Sequence, residues 1–101
     1  MDGQSKKEKE KMNNMNPEEL MASTRDHLAL HGWTADLIGN TLTNKKYPDS
    51  KIVMTYSGGQ IQAIGRNGKN TITRNFDTAY KALLATREIQ DYIRDLNVRL
   101  P

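Results

Sequence analysis

Two glycine-bearing breaks, Gly58-Gly59 and Asn67-Gly68, divide residues 51–76 into three short runs rich in β-formers. Asn-Gly between alternating runs is a strong hairpin signal, because both residues tolerate the positive φ of a type I′ turn. Gly-Gly serves the same purpose. Residues 51–57, 60–66 and 69–76 therefore read as a three-stranded antiparallel meander. Two-residue turns set the register. Across the first turn Ser57 faces Gln60, Tyr56 faces Ile61, Met54 faces Ala63 and Ile52 faces Gly65. Across the second, Arg66 is expected opposite Lys69, Ala63 opposite Ile72 and Ile61 opposite Arg74.

Side chains alternate between the faces of a strand. One face collects Ile52, Met54, Tyr56, Ile61, Ala63, Ile72 and Phe76. Arg74 is its exception, with a stem long enough to reach an edge. The other face collects Lys51, Val53, Thr55, Ser57, Gln60, Gln62, Ile64, Arg66, Lys69, Thr71, Thr73 and Asn75.

Helices are expected on either side of the meander. Asn16 is a good N-cap, Pro17 suits the first helical position, and Glu19 completes a capping-box pattern. Leu20, Met21, Thr24 and Leu28 then share one face, and Gly32 supplies a stop. Thr34 caps an expected second short helix over 35–42. A loop follows over 44–49, with Pro48 blocking continuation. The last helix is capped by Asp77 or Thr78 and carries the stripe Ala79, Ala82, Leu83, Thr86, Ile89, Ile93 and Leu96. Residues 98–101 are expected to fray. The fold class is α+β, in the order α-α-β-β-β-α, with the helices on one face of the meander. Residues 17–101 form one small domain. Residues 1–16, with Lys6-Lys7-Glu8-Lys9-Glu10-Lys11, read as a disordered charged tail.

Composition excludes several chemistries. The 101 residues contain no cysteine, which removes disulfide scaffolds, thiolate zinc sites and cysteine nucleophiles. No apolar run approaches the roughly 20 residues of a membrane helix, and residues 1–16 lack the apolar core of a signal peptide. The expectation is an intracellular protein of cytoplasm or nucleoid, with no membrane partner. Net charge is +3, but it is unevenly spread. Residues 17–44 set Arg25 against Glu18, Glu19, Asp26 and Asp36. Residues 45–75 set Lys45, Lys46, Lys51, Arg66, Lys69 and Arg74 against Asp49 alone.

That distribution bears on the polar sheet face. Lys51, Arg66 and Lys69 lie there without an acid, among hydroxyls and amides. Phosphates take Lys and Arg, with hydroxyls as further donors. Base edges take forked groups, Arg for guanine and Asn or Gln for adenine. The face lacks aromatic residues, which disfavours single-strand stacking and favours a duplex. The expected interface is Lys51, Thr55, Gln62, Arg66, Lys69, Thr71 and Thr73, with Gln62 and Arg66 as base readers. Lys45, Lys46 and Arg74 are supporting phosphate contacts. The partner expected is duplex DNA, and the function that of a non-enzymatic accessory or regulatory protein. Two alternatives stand beside it. The face is simply solvated, or the chain is a small inhibitor or adaptor that binds a protein through its helices or sheet edge.

Residues 51–95 resemble the three-strands-plus-helix DNA-binding modules of the AP2 type and of tyrosine-recombinase arm-binding domains. The resemblance is carried by Gln60-Ile61-Gln62-Ala63-Ile64 as middle strand and Thr71-Ile72-Thr73 as third strand. Asn75-Phe76-Asp77-Thr78-Ala79-Tyr80-Lys81-Ala82 is similar to the start of the helix in that group, with Asn75 where Gly is usual. The middle strand has no Trp. The resemblance implies that the exposed sheet face lies in the major groove and implicates the same outward side chains. The order helix, three strands, helix is also that of double-stranded-RNA-binding domains. Their last helix begins Lys-rich, whereas this one reads Asp77-Thr78-Ala79-Tyr80-Lys81.

Other patterns are weaker. His27 and His31 have the spacing of a metal pair but lack a third ligand. Gly65-Arg66-Asn67-Gly68-Lys69 fails the phosphate-loop pattern at Ala63 and Asn70, and the hairpin turn is the expected reason for both glycines. Trp33 is expected in the core between the helices. No residues have a spacing that supports catalysis, so no catalytic group, cofactor, metal or small-molecule substrate is expected.

Overall fold

The computed structural model describes residues 16–99, Arg99 through its backbone alone. The tail expected over 1–16 lies outside the described residues except for Asn16. That residue caps helix α1 (Pro17–Ala29): its Oδ1 accepts the Glu19 N–H at 2.9 Å. Leu20, Thr24 and Leu28 of α1 are buried, on the face the 3.6-residue period selects. The chain leaves α1 through Gly32, whose φ of 92° is open to glycine at little cost.

Five strands follow: β1 (Trp33–Ala35), β2 (Thr41–Asn44), β3 (Tyr47–Ser57), β4 (Gln60–Asn67) and β5 (Asn70–Phe76). Each pairs antiparallel with the next, in the sheet order β1-β2-β3-β4-β5. Helix α2 (Ala79–Arg99) closes the described chain. The class is α+β, with two helices and a five-stranded sheet rather than three helices and three strands.

The expected helix over 35–42 is absent, and a hairpin takes its place. The Asp36 carboxylate decides this locally. Its Oδ1 accepts the backbone N–H groups of Gly39 at 2.7 Å, Asn40 at 3.1 Å and Thr41 at 3.4 Å. A short acidic side chain that satisfies loop donors competes directly with helix formation. The desolvation that would raise the Asp36 pKa is outweighed by these backbone donors, which hold it below the usual carboxylate range. The Arg25 guanidinium of α1 donates to the Gly39 carbonyl at 3.3 Å and ties the loop to the helix.

The expected loop over 44–49 is also corrected. β3 begins at Tyr47, and the β2–β3 connection is a tight turn at Lys45-Lys46. Asn44 Oδ1 accepts the Lys46 N–H at 2.9 Å, and its Nδ2 donates to the His31 carbonyl at 3.0 Å. Pro48 stays inside a strand because the β2–β3 register shifts between Thr43 and Asn44, so the ladder skips it.

The β3–β4 register matches the expected one at every position. The β4–β5 register is two residues longer than expected. Asn67 pairs with Asn70, Arg66 with Thr71, Gly65 with Ile72, Ala63 with Arg74 and Ile61 with Phe76. Asn67 stays in the strand at negative φ, and only Gly68 is positive, at 60°. That places glycine first in the turn, as a type II′ turn requires. The cause is tertiary: Asn67 Nδ2 donates to the buried Ser50 Oγ at 2.7 Å. A two-residue slip preserves the alternation, so both face assignments survive.

α1 and α2 both pack on the face of Leu42, Ile52, Met54, Ile61, Ala63 and Phe76, and one core cluster joins all of them. Trp33 is in that core, on β1 rather than between helices. Thr78 caps α2, its Oγ1 accepting the Lys81 N–H at 3.2 Å. The stripe of α2 differs from expectation at two positions: Leu83 is 45% exposed and Ala85 is buried. The helix also continues through Val98 to Arg99, where fraying was expected. Among the described residues no helix is long and apolar enough to cross a membrane.

Candidate nucleic-acid interface

Among the described residues no helix packs on the second face of the sheet, and its registers arrange the outward side chains in rows. Thr34 faces Thr43, which faces Lys51, then Arg66, then Thr71. The next row is Thr41, Val53, Ile64 and Thr73. A third is Thr55, Gln62 and Asn75. Val53, Ile64 and Thr41 are half-buried under their neighbours, and the remaining members are exposed.

Five of the seven expected interface residues therefore fall in two rows flanking a short apolar centre, and Thr73 ends the central row. Lys69 sits in the β4–β5 turn, not opposite Arg66. The meander brings that turn to the same sheet end as the β2–β3 turn with Lys45 and Lys46. The row of Lys51 and Arg66 is the one nearest that end, so the cations gather there. Arg74 belongs to the other face, with Nε 3.0 Å from Glu88 Oε2. The Lys46 ammonium lies over the Tyr47 ring, 5.7 Å from its centroid.

Thr34, Thr41 and Thr43 extend the face by two strands and were missed, because residues 35–42 read as helix. The alternation Thr41-Leu42-Thr43 was the available signal. Asn75 was placed on this face but not among the contact residues; it completes the amide row.

Electrostatically the face is mostly positive, with Asp49 of β3 an exposed carboxylate two residues before Lys51. Residues 50–76 contain no Asp or Glu. Lys51 and Arg66 stand directly opposite each other, which costs a sheet stability, since like charges in that position repel. Neither forms an ion pair among the described residues. Among those residues no three metal-ligating side chains converge. No protein-family model, curated protein or solved structure matches the chain.

Proposed function

We propose that this chain is a non-enzymatic nucleic-acid-binding protein, an accessory or regulatory factor that takes duplex DNA on the open sheet face. One observation carries the reading: Lys51 and Arg66 are opposed across β3 and β4, with no ion-paired carboxylate to relieve them among the described residues. Phosphates supply that relief. Lys45, Lys51 and Lys69 neutralise backbone charge, and the threonine hydroxyls of both outer rows donate to it. Gln62 and Arg66, on the central-right strand β4, read base edges.

Five strands spaced about 4.8 Å apart span roughly 19 Å, wider than the major groove at about 12 Å. Only β3, β4 and β5 enter the groove in this mode. β1 and β2 lie over the flanking backbone, where Thr34 and Thr43 meet phosphates.

The test is a fluorescence-anisotropy titration against duplex DNA, single-stranded DNA and duplex RNA. Three phosphate contacts predict an affinity loss of about 40-fold between roughly 50 and 200 mM salt. Lys51→Glu separates binding from folding. It creates a cross-strand pair with Arg66 and raises stability by about 0.2–1 kcal/mol. The same change weakens DNA binding about equally across sequences and lowers the salt slope by about 1. Duplex binding that Lys51→Glu and Arg66→Glu leave intact, or no binding at low salt, refutes the sheet-face mode.

A protein-partner reading has its own favouring observation. Leu37 and Ile38, at the tip of the β1–β2 hairpin, are 108% and 79% exposed on a loop braced by Asp36 and Arg25. Binding that is insensitive to salt and lost in Leu37→Ser selects that reading.

A further inference from the structure

A second set of basic groups lies on the helix side of the sheet, away from the open face. His27 of α1, His31 of the turn that follows it, Lys46 of the β2–β3 turn, and Arg87, Gln90 and Arg94 of α2 line a cleft of about 390 Å³. The two imidazoles are one helical turn apart, with ring centroids 5.4 Å from each other. Asp91 is the sole carboxylate among the lining residues, and Arg94 engages it at 3.3 Å while also approaching Asp95 at 3.8 Å. Arg87 and Lys46 form no ion pair among the described residues.

The cleft is held in shape from beneath. Buried Asn44 bonds to the His31 carbonyl and to the Lys46 N–H, so those two residues are locked to each other through their backbones. Tyr47, which carries the Lys46 ammonium, packs beside buried Trp33 with ring centroids 6.4 Å apart. The backbone beneath the cleft is therefore fixed by the core, while the His31, Lys46, Arg87 and Arg94 side chains are exposed.

The charges within it oppose one another. Partial burial lowers the His27 pKa, and the neighbouring His31 and Arg87 lower it further. The groups facing His27 are His31 from the turn after α1, Lys46 from the β2–β3 turn, Tyr47 from the start of β3, and Arg87, Asp91 and Arg94 from α2. An anion placed among them removes the conflict, and both ring nitrogens of a protonated histidine become donors to it.

We infer that this cleft is a binding site for a dianionic oxyanion of the phosphate-ester class, held by Arg87, Lys46 and the His27–His31 pair. The volume accommodates a phosphoryl group with part of the molecule that carries it. The site is separate from the open sheet face and does not depend on the DNA-binding reading. Two sources share its chemistry: a free small phosphate and the terminal phosphate of a nucleic-acid strand.

Titration calorimetry of the full chain tests this with sulfate and inorganic phosphate, at about pH 5.5 and about pH 7.5. Sulfate remains a dianion across that window, so its pH dependence reports the protein alone. The expected result is one saturable site that tightens about tenfold at the lower pH, the linkage of about half a proton taken up on binding. Arg87→Gln and His27→Gln each weaken sulfate about tenfold or more, the loss of one charge-assisted hydrogen bond. Arg87 is exposed and Gln is a good helix former, so that variant folds. Lys51→Glu leaves sulfate affinity unchanged, which separates this site from the sheet face. No saturable binding at either pH overturns the inference, as does binding that Arg87→Gln does not weaken. A 5′-phosphorylated duplex that binds more tightly than its unphosphorylated form, only when Arg87 is present, assigns the source to a strand end. Equal affinity of the two duplexes, with sulfate still bound, assigns it to a free phosphate.

Discussion

Gly65 is the position where the sheet and α2 come closest, and Gly65→Ala measures that contact. It lies between Ile52 and Ile72 in the ladder, under α2. A Cβ at this position would stand 2.7 Å from Ile89 Cγ2, 3.0 Å from Ile72 Cγ2 and 3.5 Å from Ile93 Cδ1. Relaxed carbon contacts are about 3.5–4.0 Å, so α2 has to lift by about 1 Å. The clashing methyl is a β-branch, stiff at χ1 and unable to swing aside. Overpacking of this kind costs about 1–3 kcal/mol. Loss of glycine's freedom in the unfolded chain returns about 0.4–1 kcal/mol. The net expectation is a destabilisation of about 1–2 kcal/mol, which lowers Tm by about 4–16 °C in a domain of this size. Urea and thermal unfolding followed by circular dichroism provide the reading. A double-mutant cycle with Ile89→Ala locates the cause. That substitution alone costs about 2–5 kcal/mol, but it vacates the space a new methyl would fill. Gly65→Ala is then neutral or mildly stabilising in that background. Equal cost in both backgrounds, or a Gly65→Ala protein as stable as its parent, refutes the close-approach argument.

Ser50→Ala leaves the buried Asn67 amide without its acceptor and is expected to cost about 1–3 kcal/mol by urea unfolding; a cost near zero means that water replaces the hydroxyl. Asp36 has a folded pKa below the ordinary 3.8 of an aspartate, so its share of stability is present above that value and is lost as pH falls through the lower folded one. Asp36→Ala flattens that acid limb and speeds hydrogen exchange at the Gly39, Asn40 and Thr41 amides; unchanged exchange at all three contradicts the loop account. His27 also has a lowered folded pKa, so its contribution is full above 6.5 and declines as pH falls through the folded value. His27→Gln removes this slope, as a pH series of denaturation midpoints will show if burial, His31 and Arg87 are its cause.

The amino-acid sequence by itself determined the features that rest on neighbours in the chain. Period-two alternation and the Gly58-Gly59 turn set the β3–β4 register and sorted Lys51, Thr55, Gln62 and Arg66 onto one face. Asn16 and Thr78 marked the helix starts, because a cap is made with residues three positions away. Tertiary structure decided the features that depend on distant partners. Residues 35–42 became a hairpin because Asp36 closes its loop and Leu42 and Trp33 are drawn into a core built by β3 and the helices. The β4–β5 turn moved by one position because Asn67 bonds across the sheet to Ser50, a contact between residues 17 apart. Gly65 was read as turn chemistry, yet it is a mid-strand glycine under Ile89, visible only once α2 is laid on the sheet. The candidate interface divides along the same line. Its strand residues were legible from alternation, whereas the three threonines of β1 and β2 and the basic cleft were not. The cleft joins α1, a turn and α2, and no local pattern in the chain brings His27, Lys46 and Arg87 together.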